Sequence, residues 1–263
     1  MYLDLDQNKA YAYSAGQPLD PARRNVIFIH GAEHDHSVWN LQSRYCAYHG
    51  WNVLAVDLPA HGRSEGPPLD SVEAMAGWLI GFLNAAAISN VALVGHSMGS
   101  LIALEAAFQL GERVTQLALL GTAYPMLVSD QLLDAARDDE REARQMVNVW
   151  SHSPAMQIGG NPNPGMWMLG RNQRLMERMV PGLFFTDLMA CNSYRGGERA
   201  AQAIVCPTLL LLGERDMMTS AKSGRALGQM IGGARTRVIG GCGHALMAEK
   251  PDEVLEALVE FLA

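Results

Sequence analysis

The chain has 263 residues, 49% of them apolar, which is enough for one α/β domain with a large core. Its formal net charge of -7, from 27 acidic and 20 basic side chains, excludes a nucleic-acid partner, because phosphate binding needs clustered positive charge. No stretch has membrane-spanning length, residues 1–6 lack the basic start and apolar run of a signal peptide, and Cys46, Cys191, Cys206 and Cys242 form no C-x-x-C pair, so a cytoplasmic protein without membrane contact is expected.

In chain order, residues 2–6 and 10–14 read as two short strands about Gln7-Asn8-Lys9, an antiparallel hairpin entering a sheet. Short apolar runs follow at 26–29, 53–56, 91–94, 114–120, 208–212 and 236–239, the pattern of parallel strands buried on both faces. Helical patterns alternate with them at 38–48, 72–86, 98–110, 221–231 and 252–262. The alternation predicts an α/β fold with a doubly wound, mostly parallel sheet.

The rhythm stops between Tyr124 and Arg199, a stretch too long for an ordinary connection in a compact domain. A helical cap or lid over 124–199 is expected, inserted into a core domain of 1–123 and 200–263. Helical spacing covers 131–150, a Gly, Asn and Pro break covers 159–165, and helical patterns resume at 175–179 and 184–190. Eight of the fifteen methionines fall here: Met126, Met146, Met156, Met166, Met168, Met176, Met179 and Met189. Such flexible side chains, with Trp150, Trp167, Phe184 and Phe185, suit a yielding apolar pocket; the same residues would equally pack the cap onto the core.

The most informative motif is Gly95-His96-Ser97-Met98-Gly99, between the apolar run 91–94 and the helical stretch 98–110. It places Ser97 at a sharp strand-to-helix corner that only glycine neighbours allow. A serine hydroxyl alone is a poor nucleophile and needs a base in reach, itself oriented by a third group. Asp216 stands just past the 208–212 run, with Glu214 a competing acid two positions away, and His244 follows the glycine-rich stretch after the last run.

These motifs, with Phe28-Ile29-His30-Gly31-Ala32 and Asp57-Leu58-Pro59-Ala60-His61-Gly62-Arg63-Ser64, resemble those of the α/β-hydrolase superfamily, of the kind with a His-Gly oxyanion loop. The likeness runs from about Val26 to the C-terminus and includes the chain order serine, acid, histidine. Ala60 departs from it, since similar enzymes usually carry glycine there. The resemblance implies Ser97 as nucleophile, His244 as general base and then acid, and Asp216 as the group fixing the imidazole tautomer. It also implies an oxyanion hole from the backbone N–H groups of Ala32 and Met98.

Relatives with an aspartate at the elbow, the epoxide hydrolases and haloalkane dehalogenases, are excluded by Ser97, and Ala32-Glu33 replaces the glycine run of three-glycine lipases. Remaining chemistries are hydrolysis of esters, lactones or thioesters, C–C cleavage of dienone ring-cleavage products, and cofactor-free perhydrolysis. Hydrolysis of a carboxylic ester of a small to medium apolar molecule through an acyl-enzyme, without cofactor, is the leading expectation; a non-catalytic ligand-binding protein on the same fold is the alternative class. Glu33-His34-Asp35-His36 alternates carboxylate and imidazole, but a flexible run rarely supplies convergent metal ligands. No metal is expected there; Glu33 and His34 are expected instead at the mouth of the pocket, and His61 is expected to tie down its own loop.

Overall fold

The computed structural model describes residues 1–160 and 165–263, so residues 161–164 of the expected break lie outside the described residues. The strands are β1 (Tyr2–Leu5), β2 (Asn8–Tyr13), β3 (Arg24–Ile29), β4 (Trp51–Val56), β5 (Val91–His96), β6 (Val114–Leu120), β7 (Thr208–Gly213) and β8 (Arg235–Ile239). They form one sheet in the order β1-β2-β4-β3-β5-β6-β7-β8, antiparallel at β1, β2 and β4 and parallel from β4 onward. The expected hairpin is present, with a tighter turn than expected. Leu5 pairs with Asn8, leaving Asp6 and Gln7 as a two-residue turn with φ of 48° and 68°. Positive φ at both positions matches the turn to the strand twist, so Asn8 and Lys9 belong to β2 rather than to the connection.

Alternate residues of the parallel strands enter opposite cores, which explains their unbroken apolar character. Ile27 and Ile29 of β3 join α2 (Val72–Ala85), α3 (Met98–Leu110) and Leu227 of α10 (Ala221–Met230) on one face. Val26 and Phe28 join α1 (Asn40–Tyr48) and α12 (Pro251–Leu262) on the other. The sequence pattern at 38–48 thus resolves into a 3-10 turn, His36–Trp39, and then α1. β8 departs from the buried-strand expectation: Arg235, Thr236 and Arg237 are exposed, as suits charged residues guarding a sheet edge.

Between β6 and β7 lie α4 (Asp130–Asp138), α5 (Glu140–Ser151), α6 (Pro154–Gln157), α7 (Met168–Met176), α8 (Leu183–Ser193) and α9 (Gly197–Ala203). The expected single helix over 131–150 breaks at Asp139, whose side chain accepts from the N–H groups of Arg141 and Glu142 and so caps α5. Charge had hidden the break, because Asp139 sits within a run of acidic and basic residues. α7 begins well before the expected 175–179 stretch, and the expected boundary at 199 falls inside α9. Leu132, Ala136, Ala143, Val147, Phe184 and Leu188 form a third apolar cluster, with Ala32, Trp150 and Met218 packed against it. No helix among the described residues is long and apolar enough to cross a membrane, and all four cysteines are free and buried. A short α11 (Leu246–Glu249) precedes α12.

Candidate active site

After β3 the chain runs to β4 on one side and later to β5 on the other, so the loops after β3 and β5 face a crevice at the carboxyl ends of adjacent strands. Ser97 occupies the corner between β5 and α3 with φ 54° and ψ -121°, a strained conformation for a residue with a side chain. Its flanking glycines are sterically required. A Cβ on Gly95 would lie 2.1 Å from the Gly99 carbonyl oxygen, and one on Gly99 would lie 2.4 Å from the carbonyl oxygens of Ile29 and His30. The corner is held by the Ser97 N–H, which donates to the Leu120 carbonyl at 2.9 Å, and by Ser100 N–H to the Ser97 carbonyl at 2.8 Å. Met98 opens α3, so its N–H belongs to the electropositive end of a helix.

Asp216 and His244, 28 residues apart, meet in the loops after β7 and β8, with His244 Nδ1 donating to Asp216 Oδ2 at 2.8 Å. The N–H groups of Met218 and Thr219 each donate to Asp216 Oδ1 at 2.8 Å, and the Thr219 hydroxyl donates to Oδ2 at 2.8 Å. Burial pushes the Asp216 carboxyl up, but His244 and the Thr219 donors outweigh it and hold the group below its ordinary value. Glu214 is turned elsewhere: it is exposed and accepts the Gly241 N–H at 2.8 Å. His96 adds a second support, since its Nε2 donates to the His244 carbonyl at 2.9 Å. Burial, and then the neighbouring His244, lower the His96 pKa well below its usual value, so the ring is a neutral donor. Gly121, at φ 52°, leaves room for both rings; a Cβ there would come within 3.2 Å of each. Thr219 and His96 carry no motif of their own, and only their adjacency to the Asp216 loop and the elbow hinted at these contacts.

The loop after β3 is pinned by its histidines. His30 Nδ1 donates to the Gly31 carbonyl at 2.8 Å, and its Nε2 accepts the Leu58 N–H at 3.1 Å. The His34 N–H also donates to the Gly31 carbonyl, at 3.3 Å. In a trans peptide the N–H points opposite to the C=O, so pinning the Gly31 oxygen aims the Ala32 N–H. A Cβ on Gly31 would sit 3.1 Å from Ser97 Cβ, so this loop lies directly against the elbow.

Gly31, Ala32, Ser97, Thr219 and His244 share one cavity of about 430 Å³, within the usual range for small-molecule sites. Its remaining wall is mainly apolar, including Met126, Leu132, Val147, Trp150, Phe184 and Leu188. Of the residues expected at a pocket, His34, Trp150 and Phe184 line this cavity; Glu33, Trp167 and Phe185 do not. Glu33 is fully buried beneath the loop, its Oε1 accepting from Arg144 Nε at 2.8 Å. Trp167 is 70% exposed and lies over Gly170, and Phe185 packs against the third apolar cluster outside the cavity wall. Of the eight methionines between β6 and β7, Met126 lines this cavity; Met166 and Met168 line a neighbouring one of about 840 Å³ beyond His34 and His96, while Met217 and Met218 in the Asp216 loop line the first. The Asp216 loop thus adds two yielding sulfur contacts to the one that Met126 brings from the cap region.

The Glu33 to His36 run splits by role. Asp35 caps the following turn through the Ser37 N–H at 2.8 Å, and Asp57 accepts from His36 N, His36 Nδ1 and Arg63 N at 2.7 to 2.9 Å. Asp35, His36 and Asp57 lie close enough to hold a cation, but these hydrogen bonds already give each carboxylate a structural task. His61 does tie its loop, through the Pro59 carbonyl at 2.9 Å. Burial lifts the Glu33 carboxyl to about 7, even against Arg144. A carboxyl raised on folding stabilises fully below its unfolded value and loses that contribution as pH climbs through the folded one. Glu33→Gln is therefore expected to flatten the fall in Tm between pH 5 and pH 7.5, measured by calorimetry against wild type.

The sequence profile of the alpha/beta hydrolase family matches residues 26–257, and the chain belongs to that family. It is 28% identical over 238 residues to the putative carbamate hydrolase RutD of Klebsiella pneumoniae (strain 342), covering 81% of this chain and 82% of that one. It is 29% identical over 255 residues to 2-succinyl-6-hydroxy-2,4-cyclohexadiene-1-carboxylate synthase of Salmonella agona, covering 93% and 96%. Among solved structures, the enol-lactonase of Burkholderia xenovorans LB400 superposes with a TM-score of 0.88 over 100% of this chain and 99% of that one, at 21% identity.

Proposed function

We propose that the protein is a serine hydrolase that cleaves carboxylic esters, cyclic esters included, with small to medium apolar acyl groups. The observation that carries this reading is the Ser97 corner sharing a cavity with His244, whose imidazole is held by the fourfold-bonded Asp216. In this mechanism Ser97 Oγ attacks the acyl carbon while His244 Nε2 takes its proton. The oxyanion is met by the N–H groups of Ala32 and Met98. His244 then passes the proton to the departing alkoxide, and the acyl-enzyme is released by water that His244 activates in turn. Tautomer control comes from Asp216, because an acceptor at Nδ1 keeps Nε2 free to receive the proton.

Ester selectivity follows from the walls. The cavity wall includes no Lys or Arg among the described residues, so the carboxylates of an anionic dienone would enter without a counter-charge, which disfavours C–C cleavage. Residues 124–199 act as the lid over the acyl group, with Val147, Trp150, Phe184 and Leu188 facing it. Four buried thiols accord with a reducing cytoplasm.

The test is multiple turnover of p-nitrophenyl esters, since a binding protein on this fold would not cycle. Each added methylene contributes about 0.8 kcal/mol, so kcat/KM is expected to rise roughly fourfold per methylene from acetate until the cavity fills, then fall. Trp150→Ala is expected to move that optimum to longer chains, and Trp167→Ala to leave it in place. An optimum indifferent to Trp150 would remove the lid from substrate selection.

A further inference from the structure

The peptide linking Ala32 to Glu33 is gripped at both ends. Its carbonyl oxygen accepts from His34 Nδ1 at 2.6 Å, and its N–H donates to Asp187 Oδ2 at 2.8 Å. Asp187 lies on α8, 154 residues along the chain, and is fully buried. The same Oδ2 accepts from His61 Nε2 at 2.9 Å, while His61 Nδ1 faces the Pro59 carbonyl at 2.9 Å. Both ring nitrogens meet oxygen acceptors, so His61 carries two N–H groups and a positive charge. Burial opposes that charge, but Asp187 overrides it and raises the His61 pKa.

The side chain of Glu33 is held from a second helix. Arg144 on α5 donates to Glu33 Oε1 and also to Glu140, whose carboxylate accepts the Gly182 N–H at the start of α8. The residue after the proposed oxyanion donor is thus fixed through its backbone by α8 and through its carboxylate by α5. Two oxygens of this cluster, Glu33 Oε2 and Asp187 Oδ1, are buried without a hydrogen-bond partner among the described residues. Such half-satisfied buried carboxylates cost stability, and apolar residues of the same size would pack there more cheaply. Glu33 also sits at φ 53°, a conformation that persists only where the surroundings over-determine it.

We propose that Asp187 is a positioning residue for the oxyanion loop: paired with His61, it holds the Ala32–Glu33 peptide and so lets the lid helix α8 aim the Ala32 N–H at the reacting carbonyl. The assignment rests on the serine-hydrolase reading above. It makes oxyanion stabilisation conditional on the seating of α8, so loosening the grip acts on the transition state and not on ground-state binding.

The experiment compares Asp187→Ala, Asp187→Asn and His61→Ala on p-nitrophenyl butyrate, with kcat and KM measured separately, together with the rate at which a fluorophosphonate modifies Ser97. Outright loss of an oxyanion donor costs about 10²- to 10³-fold, so misaiming one in Asp187→Ala is expected to lower kcat by roughly 10- to 100-fold with KM within about twofold. Phosphonylation is expected to slow in parallel. Asn retains an oxygen for the Glu33 N–H and is expected to restore most of kcat, which also keeps the test alive should the alanine variant not fold. His61→Ala, which leaves α8 untouched, is expected to reproduce the kcat loss, and the double variant to cost little more than the larger single one. An Asp187→Ala protein with a lower Tm but unchanged kcat, or with a change confined to KM, overturns the assignment. If wild type neither hydrolyses the ester nor takes the phosphonate at Ser97, the hydrolase reading itself falls, a result distinct from an active wild type indifferent to Asp187.

Discussion

Ser97→Ala is expected to lower kcat for p-nitrophenyl butyrate by a factor on the order of 10⁶, the loss seen when a triad nucleophile is removed. The fold is expected to survive. The corner depends on backbone contacts, the Ser97 N–H to the Leu120 carbonyl and the Ser100 N–H to the Ser97 carbonyl, which alanine keeps. Gly95 and Gly99, whose lack of Cβ permits the corner, are untouched. Circular dichroism and Tm close to wild type, with turnover at the detection limit, are the expected pair of results. Near-normal turnover would require another nucleophile.

The second large effect concerns the acid. Asp216→Asn leaves an oxygen to receive donors but removes the charge and permits the wrong imidazole tautomer at His244, at an expected cost of about 10⁴ in kcat. The side chain accepts four hydrogen bonds, from His244, Met218, Thr219 and the Thr219 hydroxyl, so the substituted loop keeps most of its geometry. Because the Asp216 carboxyl is held below its ordinary value, its stabilising contribution is present above that value and is lost as pH falls through the depressed one. The asparagine variant is therefore expected to lose less stability than wild type on acidification. Glu214→Gln is the control: that side chain binds the Gly241 N–H, so turnover is expected to stay within a few-fold of wild type. An essential Glu214 with a dispensable Asp216 would reverse the assignment of the acid.

Much of the fold was legible because parallel strands buried on both faces leave unbroken apolar runs, as 91–94 and 208–212 do. The elbow was legible for a different reason: Gly95 and Gly99 stand where any side chain would strike backbone, so the spacing carries steric information. Asp216 and His244 were implied by the resemblance to α/β-hydrolases, and it is Asp216, not Glu214, that His244 meets. What escaped was set by distant partners. Asp187 reads as an ordinary helical acid until α8 packs it against Glu33 and His61, and Asp139 reads as one charge among many until it caps α5. The pocket was the least legible part. Trp167 looks like a cavity residue by type but lies on the outside, while Met217 and Met218 reach the cavity from the acid loop. Side-chain type indicates affinity for apolar surroundings; only the tertiary path decides which surface supplies them.

In the proposed mechanism an acyl group passes through Ser97. A reaction with p-nitrophenyl acetate, quenched in acid within the first turnovers and digested for mass spectrometry, tests it directly. One acetyl group is expected on the peptide carrying Ser97, and none in Ser97→Ala. Turnover of the ester with no covalent adduct at Ser97, or with the acetyl group on another residue, would contradict it.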